Sequence, residues 1–249
     1  MLRQPTPLHY VRAACYYLGF YSVTVVYACI CLLIAPWLPY RPRFKLITGI
    51  NYFYIFWLNV CCGVKVSVEG REHLPSQGAY VVVANHQSEW ETLFFQTLVR
   101  PQCAVLKREL LKIPFFGWVL AMLKPIALDR SKRREALKQL LAQGSDRLAQ
   151  QIPVLIFPQG TRVPVGKVGR FNKGAAMLAV KNAVPVVPIY HNAGEYWPGK
   201  SFVKYPGTVR VVIGEPINPE SLSVEAVHQQ SVVWLESHLQ AKPAAQSVE

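Results

Sequence analysis

Residues 79 to 92 read AYVVVANHQSEWET, and this run decides the fold. Ala79 to Ala84 is an unbroken apolar run rich in valine, with no polar alternation. A strand of that kind is buried on both faces, as in a sheet covered by helices on either side. Asn85 follows at once, so the polar run NHQSE sits at the carboxyl end of a buried strand, where layered α/β proteins build their sites. His86 and Glu91 stand five positions apart. On one continuous helix their side chains would diverge by about 140°, because each residue turns about 100°. They meet only if His86 lies in a turn and the helix starts beyond it. Ser88 is the expected N-cap of that helix, with Glu89 and Glu91 in its first turn, where negative charge is favoured.

Working outward, strands are expected at Lys65–Glu69, Ala79–Ala84, Cys103–Leu106, Ile126–Leu128, Val154–Phe157, Val186–Tyr190 and Val209–Ile213. Helices are expected from Ser131, as cap, to about Gln151, over Lys173–Lys181 and over Val224–Leu239. Strands interleaved with helices give an α/β layer fold. The chain divides into an N-terminal apolar segment (1–64), a catalytic region (65–240) and a polar, disordered tail (241–249).

The segment 1–64 carries much of the apolar excess in a chain that is 51% hydrophobic and 16% charged. Ala13 to Tyr40 is almost uncharged and long enough to cross a bilayer. It is too long for a cleaved leader's core, and no small-x-small cleavage site follows. A second stretch, Leu46 to Val64, is interrupted by Asn51 and Asn59 and rich in Tyr, Phe and Trp, which favour the headgroup level. Arg3 and Arg12 flank the first stretch on one side and RPRFK (Arg41–Lys45) on the other. Three arrangements remain open: a helical hairpin dipping into one leaflet, a true span, and ordinary core helices.

The net charge of +13 attracts anionic headgroups, acidic substrates or nucleic acid. Zinc-finger spacing, RNP-like strands and a basic zipper are absent, so nucleic acid is not an expected partner. Of the six cysteines, none forms a Cys-x-x-Cys pair and five lie in apolar runs. They read as reduced structural thiols in a reducing compartment, with no metal site.

Four segments carry chemistry. In Asn85–Thr92, an imidazole that titrates near neutrality stands beside a carboxylate. That pairing suits removal of a proton from an attacking hydroxyl. Leu106–Trp118 (LKRELLKIPFFGW) supplies Lys107 and Arg108 and an apolar, turn-prone wall. Ile156–Arg162 (IFPQGTR) leaves another buried strand through a tight loop. It offers Gly160, Thr161 and the guanidinium fork of Arg162, which matches phosphate oxygens. The phosphate-loop spacing Gly-x4-Gly-Lys-Ser/Thr is absent. Val184–Tyr190 (VPVVPIY) reads as a strand beside the site.

In order and spacing, from about Val66 to Ile217, these segments resemble the 1-acyl-sn-glycerol-3-phosphate acyltransferase family. Asn85, His86 and Ser88 match its N-H-x-S-x-x-D motif, with Glu91 at the aspartate position. Phe157, Pro158, Gly160, Thr161 and Arg162 match F-P-E-G-T-R, with Gln159 at the glutamate position. The resemblance implies a mixed β-sheet flanked by helices with an N-terminal helical membrane motif. It implies His86 as general base, Glu91 as its partner, and Arg162 as phosphate ligand together with Lys107, Arg108, Thr161 and Gly160. Gln159 is a candidate for the acceptor site. The implied reaction moves a fatty acyl group from acyl-CoA or acyl-carrier protein to the 2-hydroxyl of 1-acylglycerol 3-phosphate. The donor is a cosubstrate and no cofactor is expected. The implied setting is the cytoplasmic face of a membrane, the inner membrane of a bacterium. Two rival readings are a different lysolipid acceptor, since late acyltransferases of lipid A share a His-x4-acid arrangement, and a non-catalytic membrane-binding protein.

Overall fold

The structure is a computed structural model, described for residues 4–129 and 132–240. Helix α1 (Pro7–Ile34) and helix α2 (Tyr40–Cys62) open the chain. They run antiparallel, closed at one end by Thr24 Oγ1 and Tyr54 OH at 2.6 Å and by the Tyr27 hydroxyl donating to the Leu46 carbonyl at 2.6 Å. At the other end the sulfurs of Cys15 and Cys61 lie 3.7 Å apart. Gly19 lets the helices touch, because a Cβ there would meet the Trp57 indole nitrogen at 2.3 Å.

The two helices differ in what they do. Among the described residues, Pro7–Trp37 is the one helical stretch long and apolar enough to cross a bilayer. Its outer face exposes Leu18, Val26, Leu33 and Trp37. The second apolar stretch starts earlier than its composition suggested, at Tyr40, and Val64 belongs to the strand that follows. Its buried positions Phe44, Ile47, Asn51, Tyr54 and Leu58 recur at helical spacing and form one stripe. Asn51 does not interrupt the helix. Its amide donates to Gln96 Oε1 at 2.9 Å, tying α2 to the catalytic region.

Seven strands form one sheet: β1 (Val64–Glu69), β2 (Val81–Ala84), β3 (Cys103–Lys107), β4 (Ile126–Leu128), β5 (Val154–Ile156), β6 (Val186–His191) and β7 (Gly207–Ile213). Their spatial order is β1-β7-β6-β2-β5-β3-β4. From β6 to β4 every pair is parallel. β7 pairs antiparallel with β6 and parallel with β1, so the sheet is mixed. The helices between strands are α3 (Trp90–Leu98), α4 (Phe116–Ala121), α5 (Arg133–Ala149) and α6 (Gly174–Lys181), with α7 (Val224–Gln240) last. The N-cap of α5 is Lys132, one position after the expected Ser131; Ser131 itself and the tail 241–249 lie outside the described residues.

The valine run explains the layering. Val82 and Ala84 face Tyr16, Leu58, Trp90 and Phe95 from the hairpin and α3. Val81 and Val83 face Leu140, Leu178, Val227 and Leu235 from α5, α6 and α7. Both faces are covered, so successive residues all need apolar side chains, each worth about 1.5–3 kcal/mol when fully buried. Tight turns join strands to helices. Gly117, for example, packs where a Cβ would lie 2.5 Å from the Leu111 carbonyl oxygen.

Candidate active site

Three neighbouring parallel strands, β6, β2 and β5, release their chains at one edge of the sheet. From β2 comes Asn85–Glu89, and α3 begins at Trp90. Ser88 is not the N-cap; Glu89 occupies that position. The Ser88 hydroxyl instead accepts from the Trp90 amide at 3.1 Å, and its carbonyl accepts from Arg162 Nε at 3.0 Å. The early turn leaves His86 outside the helix, where it meets a side chain five residues on.

His86 Nδ1 lies 2.7 Å from Glu91 Oε1. The same oxygen accepts the backbone N–H groups of Gln87 at 2.9 Å and Ser88 at 2.8 Å. Glu91 is fully buried. Burial by itself pushes its carboxyl upward, but His191, the His86 bond and the Ser88 amide together hold it below the ordinary carboxylate value. An ionised Glu91 fixes the proton of His86 on Nδ1, which leaves Nε2 as the basic nitrogen. The His86 ring stacks on Phe157, the first residue past β5, at 4.3 Å between centroids.

The β5 exit is a turn from Phe157 to Gly160, closed by the Gly160 amide donating to the Phe157 carbonyl at 3.0 Å. Pro158 sets its second position, and Gly160 takes φ +69, open to glycine without strain. Gln159 is buried and braces two segments. Its Oε1 accepts the His86 amide at 2.7 Å, and its Nε2 donates to the Val168 carbonyl at 2.5 Å. The Val163 amide donates to the His86 carbonyl at 2.8 Å, so the two loops are sewn together. Arg162 stands beside the His86 loop, its Nη1 2.7 Å from Glu89 Oε1, with 35% of its side chain exposed. Thr161 is exposed next to it.

Lys107 and Arg108 lie at the end of β3, on the same edge of the sheet but two strands from β2, on the order of 10 Å away. Both are exposed; Lys107 is 3.8 Å from Glu109, and Arg108 donates to Gln139 at 3.4 Å. The structure therefore gathers His86, Glu91, Gln159, Gly160 and Arg162 into one cluster, with Lys107 and Arg108 on its flank. Among the described residues no group of three or more His, Cys, Asp or Glu is placed to hold a metal ion.

Sequence reasoning missed His191, at the end of β6. Its ring Nε2 donates to the Asn85 carbonyl at 2.8 Å, and its Nδ1 accepts the Ala193 amide at 3.2 Å. Its backbone N–H and C=O clasp the Asn85 side chain at 2.9 and 2.8 Å. Both ring nitrogens are thus occupied in the neutral tautomer. Burial lowers its pKa, in keeping with that assignment, even though Glu91 Oε2 lies 4.0 Å away and acts in the other direction. The available signal was a histidine closing a buried strand next to β2.

A buried imidazole–carboxylate pair flanked by a guanidinium at the carboxyl edge of a sheet is suited to acyl transfer onto a phosphate-bearing hydroxyl compound. Comparison with known proteins places the chain in that class. Residues 65–192 match the acyltransferase family model. A 1-acyl-sn-glycerol-3-phosphate acyltransferase of Pseudomonas aeruginosa is 42% identical over 96% of this chain and 94% of that protein. A mouse protein, 1-acyl-sn-glycerol-3-phosphate acyltransferase alpha, is 32% identical over 66% of this chain and 59% of its own length. The crystal structure of the 1-acyl-sn-glycerophosphate acyltransferase PlsC from Thermotoga maritima superposes with TM-score 0.78 at 27% identity, covering 94% of this chain and 97% of that one. The chain belongs to the 1-acyl-sn-glycerol-3-phosphate acyltransferase family.

Proposed function

We propose that this enzyme transfers a fatty acyl group from a thioester, acyl-CoA or acyl-carrier protein, to the free 2-hydroxyl of 1-acylglycerol 3-phosphate, giving phosphatidate. The observation that carries this reading is the 2.7 Å contact between His86 Nδ1 and Glu91 Oε1, which leaves Nε2 to act as base. Nε2 takes the proton of the acceptor hydroxyl as its oxygen attacks the thioester carbon. The tetrahedral adduct then collapses, the carbon–sulfur bond breaks, and the imidazolium returns its proton to the departing sulfur. Glu91 stabilises the transient imidazolium without taking the proton. The Gln87 and Ser88 amides are committed to Glu91, so oxyanion stabilisation comes from other donors. Arg162 binds the acceptor's phosphate, with Lys107 and Arg108 widening the positive field toward β3. Gln159 supports the acceptor site by holding the two loops together. The thioester is a cosubstrate, and the reaction asks for no cofactor.

The hairpin of α1 and α2, with Arg12, Arg41, Arg43 and Lys45 around it, would seat the catalytic region on anionic lipid at the cytoplasmic face of a bacterial inner membrane. A lipid acceptor then reaches His86 without leaving the bilayer surface. The test is an in vitro assay with lysophosphatidate, a panel of other lysolipids and a series of acyl donors, run with wild type and His86→Ala. Phosphatidate formation that disappears in the folded variant supports the reading. Wild-type turnover by His86→Ala removes the base assignment.

A further inference from the structure

Lys204 is buried to 1% exposure, although a lysine so deep needs compensation for its charge. Among the described residues no carboxylate lies within ion-pair distance. Its ammonium instead donates to the Phe202 carbonyl at 2.9 Å and sits over three rings: Tyr17 at 3.8 Å, Trp197 at 4.4 Å and Tyr16 at 5.3 Å. Such stacking over aromatic faces strengthens when water is excluded. Burial pushes its pKa down to about 8, with Cys62 and Glu89 pulling the other way.

The cage joins two parts of the molecule. Tyr16 and Tyr17 belong to α1, while Trp197 and Lys204 belong to a loop between β6 and β7. That loop is pinched at its base, where the Tyr205 amide donates to the Tyr196 carbonyl at 2.8 Å. Its α1 side is further held by Phe202, stacked on Tyr17 at 5.2 Å between centroids. Its other side lies on the candidate active site. A Cβ on Gly199 would come within 2.9 Å of the Gln87 carbonyl oxygen and 3.2 Å of Arg162 Cδ. Lys200 takes φ +66 there, and its amide donates to Glu89 Oε1 at 3.5 Å, the oxygen that also holds Arg162.

We propose that Lys204 is a positioning residue for the phosphate end of the acceptor: its caged ammonium pins the Trp197–Lys204 strap to α1 and so holds the strap against Gln87, Glu89 and Arg162. The hairpin is then part of the site's framework as well as its membrane contact. The inference rests on the reading of Arg162 as the phosphate ligand.

The test compares wild type, Lys204→Met, which keeps an unbranched chain one atom shorter and removes charge, and Lys204→Arg, which keeps a cation for the cage. All are assayed as full-length chain in detergent micelles, so that membrane affinity does not enter. Lys204→Met is expected to raise the KM for lysophosphatidate about tenfold or more, on the scale of a weakened contact to a charged group. The donor's KM stays unchanged, and Lys204→Arg recovers most of the loss. An acceptor KM within twofold of wild type, or equal rises for donor and acceptor, overturns the proposal. Hydrogen–deuterium exchange of the same proteins separates this outcome from failure of the functional reading. If wild type acylates no lysolipid, the functional reading fails. The strap is then supported by faster exchange over 197–204 and 159–163 in Lys204→Met, and overturned by unchanged exchange.

Discussion

One oxygen of Glu91 receives His86 Nδ1 and two backbone N–H groups, while its other oxygen has no hydrogen-bond partner among the described residues. All of the carboxylate's directed bonding is therefore spent on fixing the His86 loop and ring. A buried acceptor left bare is costly, and an active site is a place where such a cost is retained. Glu91→Gln keeps the shape but can present an NH₂ group to the two amides and to His86. The expected result is a kcat lowered by roughly 10²–10⁴, as for loss of the group that orients a catalytic imidazole. Steady-state kinetics check it; a kcat within threefold of wild type would show that the carboxylate's charge is dispensable.

His191 should make stability depend on pH in a defined window. Its folded pKa lies below the ordinary 6.5, because burial disfavours the charged ring. Below pH 6.5 the unfolded chain binds a proton that the folded chain does not, so stability falls as pH falls toward the lower folded value. Glu91 adds a second loss below its ordinary 4.5, as pH drops through its lowered folded value. Denaturant unfolding at several pH values measures the slope. His228 shifts in the same direction but is partly exposed, so His228→Asn should retain most of the slope that His191→Gln loses. A flat profile from pH 6.5 to 5 contradicts a neutral His191 in the native state.

Arg162 is expected to discriminate by geometry as well as charge. Arg162→Ala should raise the KM for a phosphorylated acceptor by roughly 10- to 150-fold, equivalent to about 1.5–3 kcal/mol for hydrogen bonds to a charged group. Arg162→Lys should recover only part of this, since an ammonium cannot reproduce the fork or hold Glu89 and the Ser88 carbonyl together. An unchanged acceptor KM in Arg162→Ala removes it from the phosphate site.

The segment around α4 provides a second apolar surface beside the hairpin. Ile113, Phe115, Phe116 and Trp118 are 44%, 44%, 44% and 50% exposed. The α4 residues Val119 and Leu120 pack with Cys31 and Phe44 of the hairpin, so the two surfaces adjoin. Replacing both Phe116 and Trp118 by Ser should weaken binding to phosphatidylglycerol vesicles about 100-fold or more, at about 1.5–3 kcal/mol for each large apolar side chain. Activity on a short-chain, water-soluble acceptor should stay within twofold. Vesicle co-sedimentation checks the first; undiminished binding places this surface away from the lipid.

The parts of the fold legible in the sequence were strands marked by unbroken apolar runs or by strict alternation, as in Lys65–Glu69. Val81–Ala84 announced itself because every position is buried and nothing polar is tolerated on either side. The start of α2 was hidden, since Arg41, Arg43 and Lys45 occupy its first turns and an apolar run does not mark a charged beginning. Strand direction was equally silent: the antiparallel β7 reads like its parallel neighbours. In the site, the pairing of His86 with Glu91 was legible through the ordered motifs, and their spacing asked for the turn that the structure places between them. Gln159 was placed at the site but its role as a brace was not legible, because it depends on the Val168 carbonyl, nine residues on, and on the His86 amide, on another strand's exit. His191 fell one residue beyond the expected strand Val186–Tyr190, and only the sheet order brings it to Asn85.

The Ser88 hydroxyl is fully buried and turned toward the Trp90 amide. The loop that carries the imidazole therefore offers no serine hydroxyl to store the acyl group between substrates. Under the proposed direct transfer, donor and acceptor occupy the protein at the same moment. Initial-rate plots should intersect rather than run parallel, no labelled acyl–protein adduct should survive an acid quench, and thioester left alone with the enzyme should be spared from wasteful cleavage.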